Sequence, residues 1–162
     1  MWAKFTKKSV KKINKWLQKN GFAVTCARVD KDEDDNDLTF IVDDDGAMYI
    51  LTPRWYNEEP DGFFMKYLRE LGLKSHFDSL TLSILHELGH TQTYPLFMTK
   101  EWNACDKKKE NLDEPDRETT LYKYWEIKNE KAANMWLIMF AECFSNKVQE
   151  LEDIIGETVK FG

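Results

Sequence analysis

The sequence has few cysteines and no long apolar run, and each shortage excludes a class of protein. Its 162 residues include three widely spaced cysteines, Cys26, Cys105 and Cys143. They form no C-x-x-C pair, which excludes a zinc knuckle built from paired cysteines. An odd number of separated cysteines is typical of reduced thiols, so we expect a cytoplasmic location.

Long apolar runs are also missing. No stretch approaches the roughly 20 apolar residues of a transmembrane helix, and no apolar segment follows the basic residues near the start. We therefore expect neither a membrane span nor a signal peptide. The formal net charge of −6 argues against general nucleic-acid binding. With no repeats and no linker, residues 1–162 are predicted to form a single domain.

The charge is distributed unevenly along the chain. The first 20 residues are rich in lysine and contain no acidic residue. Val10, Ile13, Trp16 and Leu17 recur at helical spacing, so residues 1–21 are predicted to form a basic amphipathic helix. We expect this helix to pack on a sheet with its lysines outward. Contact with a membrane surface or with nucleic acid is the alternative.

A short acidic stretch, residues 30–37 (DKDEDDND), follows the basic segment. It does not fit a calcium-binding EF-hand loop, because Asp35 stands where that loop needs glycine and Ile41 where it needs glutamate. We interpret the stretch as a solvated turn.

Two of the three histidines lie in one pentapeptide, His86-Glu87-Leu88-Gly89-His90. In an H-E-x-x-H motif the two imidazoles bind zinc and the glutamate acts on a metal-bound water. Residues 75–90 have apolar residues at helical spacing, with Ser75 or Asp78 as the N-cap. A helix places residues four apart on one face. Inside a helix, glycine is less favourable than alanine by roughly 1 kcal/mol. A helix that keeps Gly89 despite this cost is expected to have another backbone packed closely against it, from the sheet.

A catalytic zinc needs a third protein ligand, and no histidine follows His90. Residues 122–144 are predicted to form one long helix, in which Glu130 lies within the apolar stripe. An unpaired charge is unfavourable there, so Glu130 is the predicted third ligand. Glu126, one turn earlier, is the alternative. Asn134, one turn later, is expected to accept a hydrogen bond from a ligating histidine. Small Ala133 would let the two helices approach closely.

The pattern His86-Glu87-x-x-His90 followed by Asn129-Glu130-x-x-x-Asn134 resembles the gluzincin branch of the zincin metallopeptidases. It is also similar to small intracellular prophage peptidases of the ImmA/IrrE kind. The resemblance implies a Zn²⁺ cofactor, ligands His86, His90 and Glu130, and a catalytic Glu87. Two features depart from that pattern. Asn134 stands where the branch has Asp, and the interval from His90 to Glu130 is longer, so residues 92–117 are predicted to form an irregular loop or lid.

Residues 22–29, 38–42 and 47–51 are rich in β-forming residues, and the hairpin dipeptide Asp45-Gly46 separates the last two. They predict a three-stranded antiparallel sheet. In zincins, the sheet edge beside the metal pairs with the extended substrate, and main-chain hydrogen bonds supply affinity. We assign substrate binding to the last strand, whose residues are Ala47, Met48, Tyr49, Ile50 and Leu51.

These patterns predict an α+β, zincin-like fold. Its elements would be an N-terminal helix, a short antiparallel sheet, the H-E-x-x-H helix, a loop, and a second long helix packed on the first. Residues 148–162 form an acidic tail to which we assign no packing.

The predicted function is a zinc-dependent endopeptidase that acts on a peptide or a narrow protein target. Glu87 would take a proton from the attacking water. The donor that stabilises the tetrahedral intermediate stays open among His76, Tyr94, Tyr122 and Tyr124. His76 lies about 15 Å along the helix from the motif, too far to bind the metal. A non-catalytic, zinc-stabilised interaction module of phage or mobile-element origin is the alternative.

Overall fold

The computed structural model describes residues 2–29, 37–57 and 62–162. Its elements, in chain order, are β1 (Trp2–Lys4), α1 (Lys7–Lys19), β2 (Val24–Val29), β3 (Thr39–Val42), β4 (Met48–Pro53), β5 (Trp55–Asn57), α2 (Phe63–Leu71), α3 (Ser79–Thr93), a 3₁₀ turn (Tyr94–Leu96), α4 (Thr99–Glu110), α5 (Arg117–Glu126), α6 (Lys128–Cys143), α7 (Ser145–Thr158) and β6 (Lys160–Phe161). The predicted α+β class is confirmed. None of the helices in this part of the chain is both long and apolar enough to cross a membrane.

The larger sheet has the strand order β2-β4-β3. A turn with Gly46 at a φ of 83° joins β3 to β4, which pair antiparallel as predicted. β4 also pairs with β2, but in parallel, so the prediction of a purely antiparallel sheet is wrong. Strand patterns identify segments but do not say which strand lies in the middle.

A second sheet, with the order β5-β1-β6, has no counterpart in the sequence predictions. It brings the start of the described chain beside its end, with Ala3 paired to both Tyr56 and Phe161. Strands of two or three residues are too short to show an alternating pattern, which is why the sequence did not reveal them.

The basic helix predicted for residues 1–21 is present as the shorter α1, because the residues before it form β1. Thr6 caps the helix, and its hydroxyl accepts a hydrogen bond from the Ser9 backbone N–H. Asn14 bonds to the backbone of Cys26 in β2, and Trp16 Nε1 donates to the Lys147 carbonyl in α7. The helix therefore packs on the sheet, as expected. Its lysines face outward: Lys7, Lys8, Lys11, Lys15 and Lys19 are exposed.

The long helix predicted for residues 122–144 is in fact two helices. The chain is extended at Ile127, with φ −64° and ψ 138°, and this residue ends α5 and precedes α6. Residues 148–162, to which no packing was assigned, belong mainly to α7. Its Val148, Leu151 and Ile155 are completely buried in the core.

The segment predicted as an irregular loop, residues 92–117, is largely helical. It begins with the end of α3, continues through the 3₁₀ turn, and then forms the twelve-residue helix α4. The prediction of an irregular loop is therefore wrong. Cys105, which a charged loop would expose, is buried on α4, whereas Cys143 is the exposed thiol. The acidic stretch interpreted as a turn lies outside the described residues except for Asp37.

Candidate metal centre

The helix α3 places its two histidines side by side. The side chain of Asp78 caps this helix by accepting a 2.8 Å hydrogen bond from the Thr81 backbone N–H. His86 and His90 are both buried, and their ring centroids are 4.7 Å apart. The prediction of one helical face carrying both imidazoles is confirmed.

The helix α6 brings a carboxylate to these imidazoles. Glu130 is only 2% exposed, and its Oε1 lies 2.9 Å from His86 Nε2 and 3.2 Å from His90 Nε2. Its Oε2 lies 3.0 Å from His90 Nε2. Ligand atoms from the three residues all lie within 4.8 Å of one another, so the group could hold a metal ion.

Glu126, the alternative third ligand, is not part of this group. Its side chain is 52% exposed and contacts the Tyr67 hydroxyl and Lys131 Nζ. The helix breaks at Ile127, between the two glutamates. Glu126 therefore does not share the helical face that carries Glu130.

The donor set fits a divalent metal ion. Two imidazoles and one carboxylate are a set that zinc takes in catalytic sites, with a further position left for water. His86 Nδ1 donates a 2.7 Å hydrogen bond to Asn134 Oδ1, which leaves Nε2 directed at Glu130. The predicted contact between Asn134 and a histidine is thus present. His90 Nδ1, by contrast, is buried with no hydrogen-bond partner among the described residues.

The negative charge of Glu130 and the positive charge of a protonated histidine stabilise each other. Burial alone would raise the pKa of Glu130, but the charge of His90 and hydrogen bonds from both imidazoles hold that pKa well below its usual range. Burial opposes a charge on His86, yet the hydrogen bond and charge of Glu130 raise its pKa to about 9. In the metal-free protein the carboxylate is therefore ionised and His86 is protonated at neutral pH.

Close packing of α3 on α6 makes this arrangement possible. A Cβ atom built on Gly89 would lie 2.5 Å from the Ala133 carbonyl oxygen and 3.1 Å from its Cα. Only glycine fits against backbone at that distance. The expected close approach at Gly89 is real, but it comes from α6 and not from the sheet.

A cavity of about 550 Å³ opens beside the group. Glu87 lines it together with His86, His90 and Glu130, while Phe40 of β3 forms part of its wall. The backbone of Phe40 is close enough to Glu87 to lower the pKa of that carboxyl slightly. Burial raises the pKa of Glu87, and the two imidazoles only partly oppose this rise.

The sheet edge at this cavity belongs to β3 and not to β4. β4 is central and pairs with β2 on one side and β3 on the other. Its residues Met48, Tyr49, Ile50 and Leu51, and the preceding Ala47, which bonds to Asp43, thus have no free edge for a substrate. The prediction that this strand pairs with substrate is wrong, because the parallel β2–β4 pairing places it inside the sheet.

Of the four residues considered as hydrogen-bond donors to an intermediate, only Tyr124 lines the cavity. His76 is exposed and contacts Arg69, and the Tyr122 hydroxyl donates to Glu70. Tyr94 packs against Phe40 and Trp102. Burial, with the nearby charges of Glu130 and Glu87, raises the pKa of Tyr124, so its hydroxyl keeps its proton.

Sequence reasoning missed most of the cavity lining, including three residues that contact His90 or Glu130. Phe40 stacks on His90 at 5.9 Å between ring centroids, and the Trp102 ring lies 5.6 Å from His90. Lys109 Nζ lies 2.6 Å from Glu130 Oε2. Trp102, Cys105 and Lys109 are spaced three and four apart, which is a helical signal, but the charged residues around them obscured it.

No protein-family model matches the chain, and no curated protein or solved structure matches it either. The geometry of the site and the H-E-x-x-H motif are therefore what indicate a function.

Proposed function

We propose that this protein is a zinc-dependent endopeptidase. The observation that carries the proposal is the convergence of His86, His90 and Glu130, all buried, beside an accessible cavity that Glu87 also lines. The glutamate between the two histidines is not used as a ligand. It is free to act on a water at the metal, which is what hydrolysis of this type requires.

Zinc is the metal we propose because of the donors. Neutral imidazole and carboxylate together suit zinc, whereas calcium and magnesium prefer sites made only of oxygen. When bound, zinc lowers the pKa of a coordinated water and polarises the scissile carbonyl. The hydrogen bond with Asn134 would hold a neutral His86 in the tautomer whose Nε2 is available to the metal.

Glu87 supplies the proton transfers. It accepts a proton as the water oxygen attacks the carbonyl carbon, and it delivers that proton to the departing amine nitrogen as the C–N bond breaks. A pKa raised by burial suits this role, because a base whose pKa lies nearer the working pH can both take and return a proton. Tyr124 is our candidate for a donor to the developing oxyanion.

The substrate is proposed to bind as an extended segment along the edge of β3. This strand carries Phe40, which lines the same cavity as Glu87, so a peptide paired with the edge would pass the catalytic group. Phe40, Phe64, Trp102 and Trp125 give the cavity aromatic walls. We therefore expect an apolar side chain next to the scissile bond, and a narrow target because α4 covers part of the site.

The proposal also includes a fold type and a cellular location. The packing of α3 on α6 beside a small mixed sheet supports a zincin-like fold of the small intracellular peptidase kind. Three free thiols, two of them buried, agree with a cytoplasmic protein.

Metal analysis tests the site. Purified protein loaded with excess zinc and desalted is expected to retain one ion per chain, measured by elemental analysis. Glu130→Gln should lose most of it, because a neutral amide is a poor zinc ligand. Glu126→Gln is the matched control, since this exposed glutamate is four residues away, and it should retain the ion. Absence of zinc in the unmodified protein would refute the proposal.

Cleavage tests the activity. A peptide library made from a digested proteome is incubated with the zinc-loaded protein or with Glu87→Gln, and new termini are identified by mass spectrometry. We expect new termini to fall by about 10²–10⁴-fold in the variant while zinc is retained, because only the base is lost. If both proteins bind zinc but no terminus depends on Glu87, the non-catalytic interaction module replaces the peptidase.

A further inference from the structure

A lysine from α4 reaches into the candidate metal centre. Lys109 Nζ donates a 2.6 Å hydrogen bond to Glu130 Oε2, and its side chain is only 17% exposed. Its ammonium also lies 5.1 Å from the centroid of the Tyr124 ring and 5.9 Å from that of Trp102. Two aromatic faces and the Glu130 carboxylate thus enclose the positive charge, and Asp106 Oδ1 lies 3.8 Å from it on the same helix.

Helix α4 packs on the rest of the protein through the face that carries Lys109. Trp102, Cys105 and Lys109 are its buried or partly buried residues, whereas the remaining nine are exposed. Trp102 packs on the ring of His90, and Lys109 bonds to Glu130. Two of its three inward residues therefore contact the metal-binding group itself.

The two oxygens of Glu130 have different surroundings. Oε1 lies between the two histidines, 2.9 Å and 3.2 Å from their Nε2 atoms. Oε2 lies 3.0 Å from His90 but only 2.6 Å from Lys109. An ion held by both imidazoles would therefore meet Oε1 first, because the ammonium already bonds to Oε2.

We propose that Lys109 is a positioning residue that restricts Glu130 to a single metal-binding oxygen. This inference rests on the proposed metal site. A carboxylate that binds through both oxygens takes two coordination positions, whereas one held by Lys109 leaves a position open for water. The ammonium also withdraws negative charge from the ligand and repels the ion, so the open position is obtained at the expense of metal affinity.

Replacing Lys109 by methionine tests this role. Lys109→Met keeps the long apolar stem but removes the charge and the hydrogen bond. We expect zinc affinity, measured by competition with a chromophoric chelator, to rise by about tenfold or more, because the repulsion is gone. We also expect the visible absorption of the cobalt-loaded variant to weaken, since Glu130 would add a second oxygen to the coordination sphere. Lys108→Met, an exposed neighbour on α4, is the control and should match the unmodified protein.

The direction of the change in zinc affinity distinguishes a positioning role of Lys109 from a purely structural one. A lysine that merely supports the fold would lower zinc affinity when it is removed, so unchanged or weaker binding by Lys109→Met overturns the inference. Lys109→Gln provides a second neutral variant, and the inference also falls if neither variant folds, as judged by circular dichroism. If the unmodified protein binds no zinc, the proposed function itself fails, which is a distinct result.

Discussion

Gly89→Ala is the substitution for which the structure makes the sharpest prediction. The added Cβ would lie 2.5 Å from the Ala133 carbonyl oxygen, which is 0.9 Å less than the 3.4 Å at which ordinary contact begins. The neighbouring atoms are backbone atoms of α6, so no side chain can rotate away to relieve the overlap. Helices α3 and α6 would have to separate by about 1 Å.

Two opposing effects set the size of the change in stability. Overpacking of a rigid interior typically costs about 1–3 kcal/mol. Replacing glycine by alanine inside a helix contributes roughly 1 kcal/mol in the other direction. Because the overlap is with rigid backbone, we expect overpacking in the upper part of that range, about 2–3 kcal/mol, and therefore a net fall in the free energy of unfolding of about 1–2 kcal/mol. Moving the helices apart also separates Glu130 from the two histidines, so zinc affinity should fall as well.

Gly156→Ala is the matched control. Gly156 is exposed in α7, and a Cβ built on it meets nothing within 4 Å, so only the gain in helix propensity remains. We expect this variant to be more stable by about 0.5–1 kcal/mol. Urea unfolding of both metal-free variants, followed by circular dichroism, measures the two changes. A Gly89→Ala protein as stable as the unmodified one would refute the close packing of α3 on α6.

Two further predictions concern the metal-binding group. Asn134→Ala removes the acceptor that orients His86, so zinc affinity, measured by chelator competition, should fall by about 10–100-fold; an unchanged affinity would contradict this role. The pKa of His86 is raised to about 9, so zinc must displace a proton at pH 7 and apparent affinity should rise by about tenfold per pH unit toward pH 9. Calorimetry in two buffers of different ionisation enthalpy should detect the released proton, and its absence would mean that His86 is neutral.

The elements with strong helical periodicity were predictable from the sequence. α1 and α3 show apolar residues at three- and four-residue spacing, and both are present near the expected positions. α4 was missed because only three of its twelve residues are buried or partly buried, so most of its sequence has the composition of an exposed loop. The break at Ile127 was missed because periodicity continues across it.

The sequence by itself identified the three residues that meet in the candidate centre. Spacing of four residues places His86 and His90 on one helical face, and an acid within an apolar stripe needs a partner, so Glu130 could be named in advance. These inferences succeed because they depend on local geometry and on the free energy of burying a charge. Both are properties of short segments of chain.

Only the tertiary structure decided which other groups surround that centre. The parallel pairing of β2 with β4 makes β3 the edge strand, and packing of α4 brings Lys109 to Glu130. Contacts of this kind join segments far apart in the chain, and no local pattern records which segments meet. Gly89 illustrates both kinds of information. A glycine within a helix predicts a close approach of another segment, but only the packed structure identifies Ala133 as the neighbour.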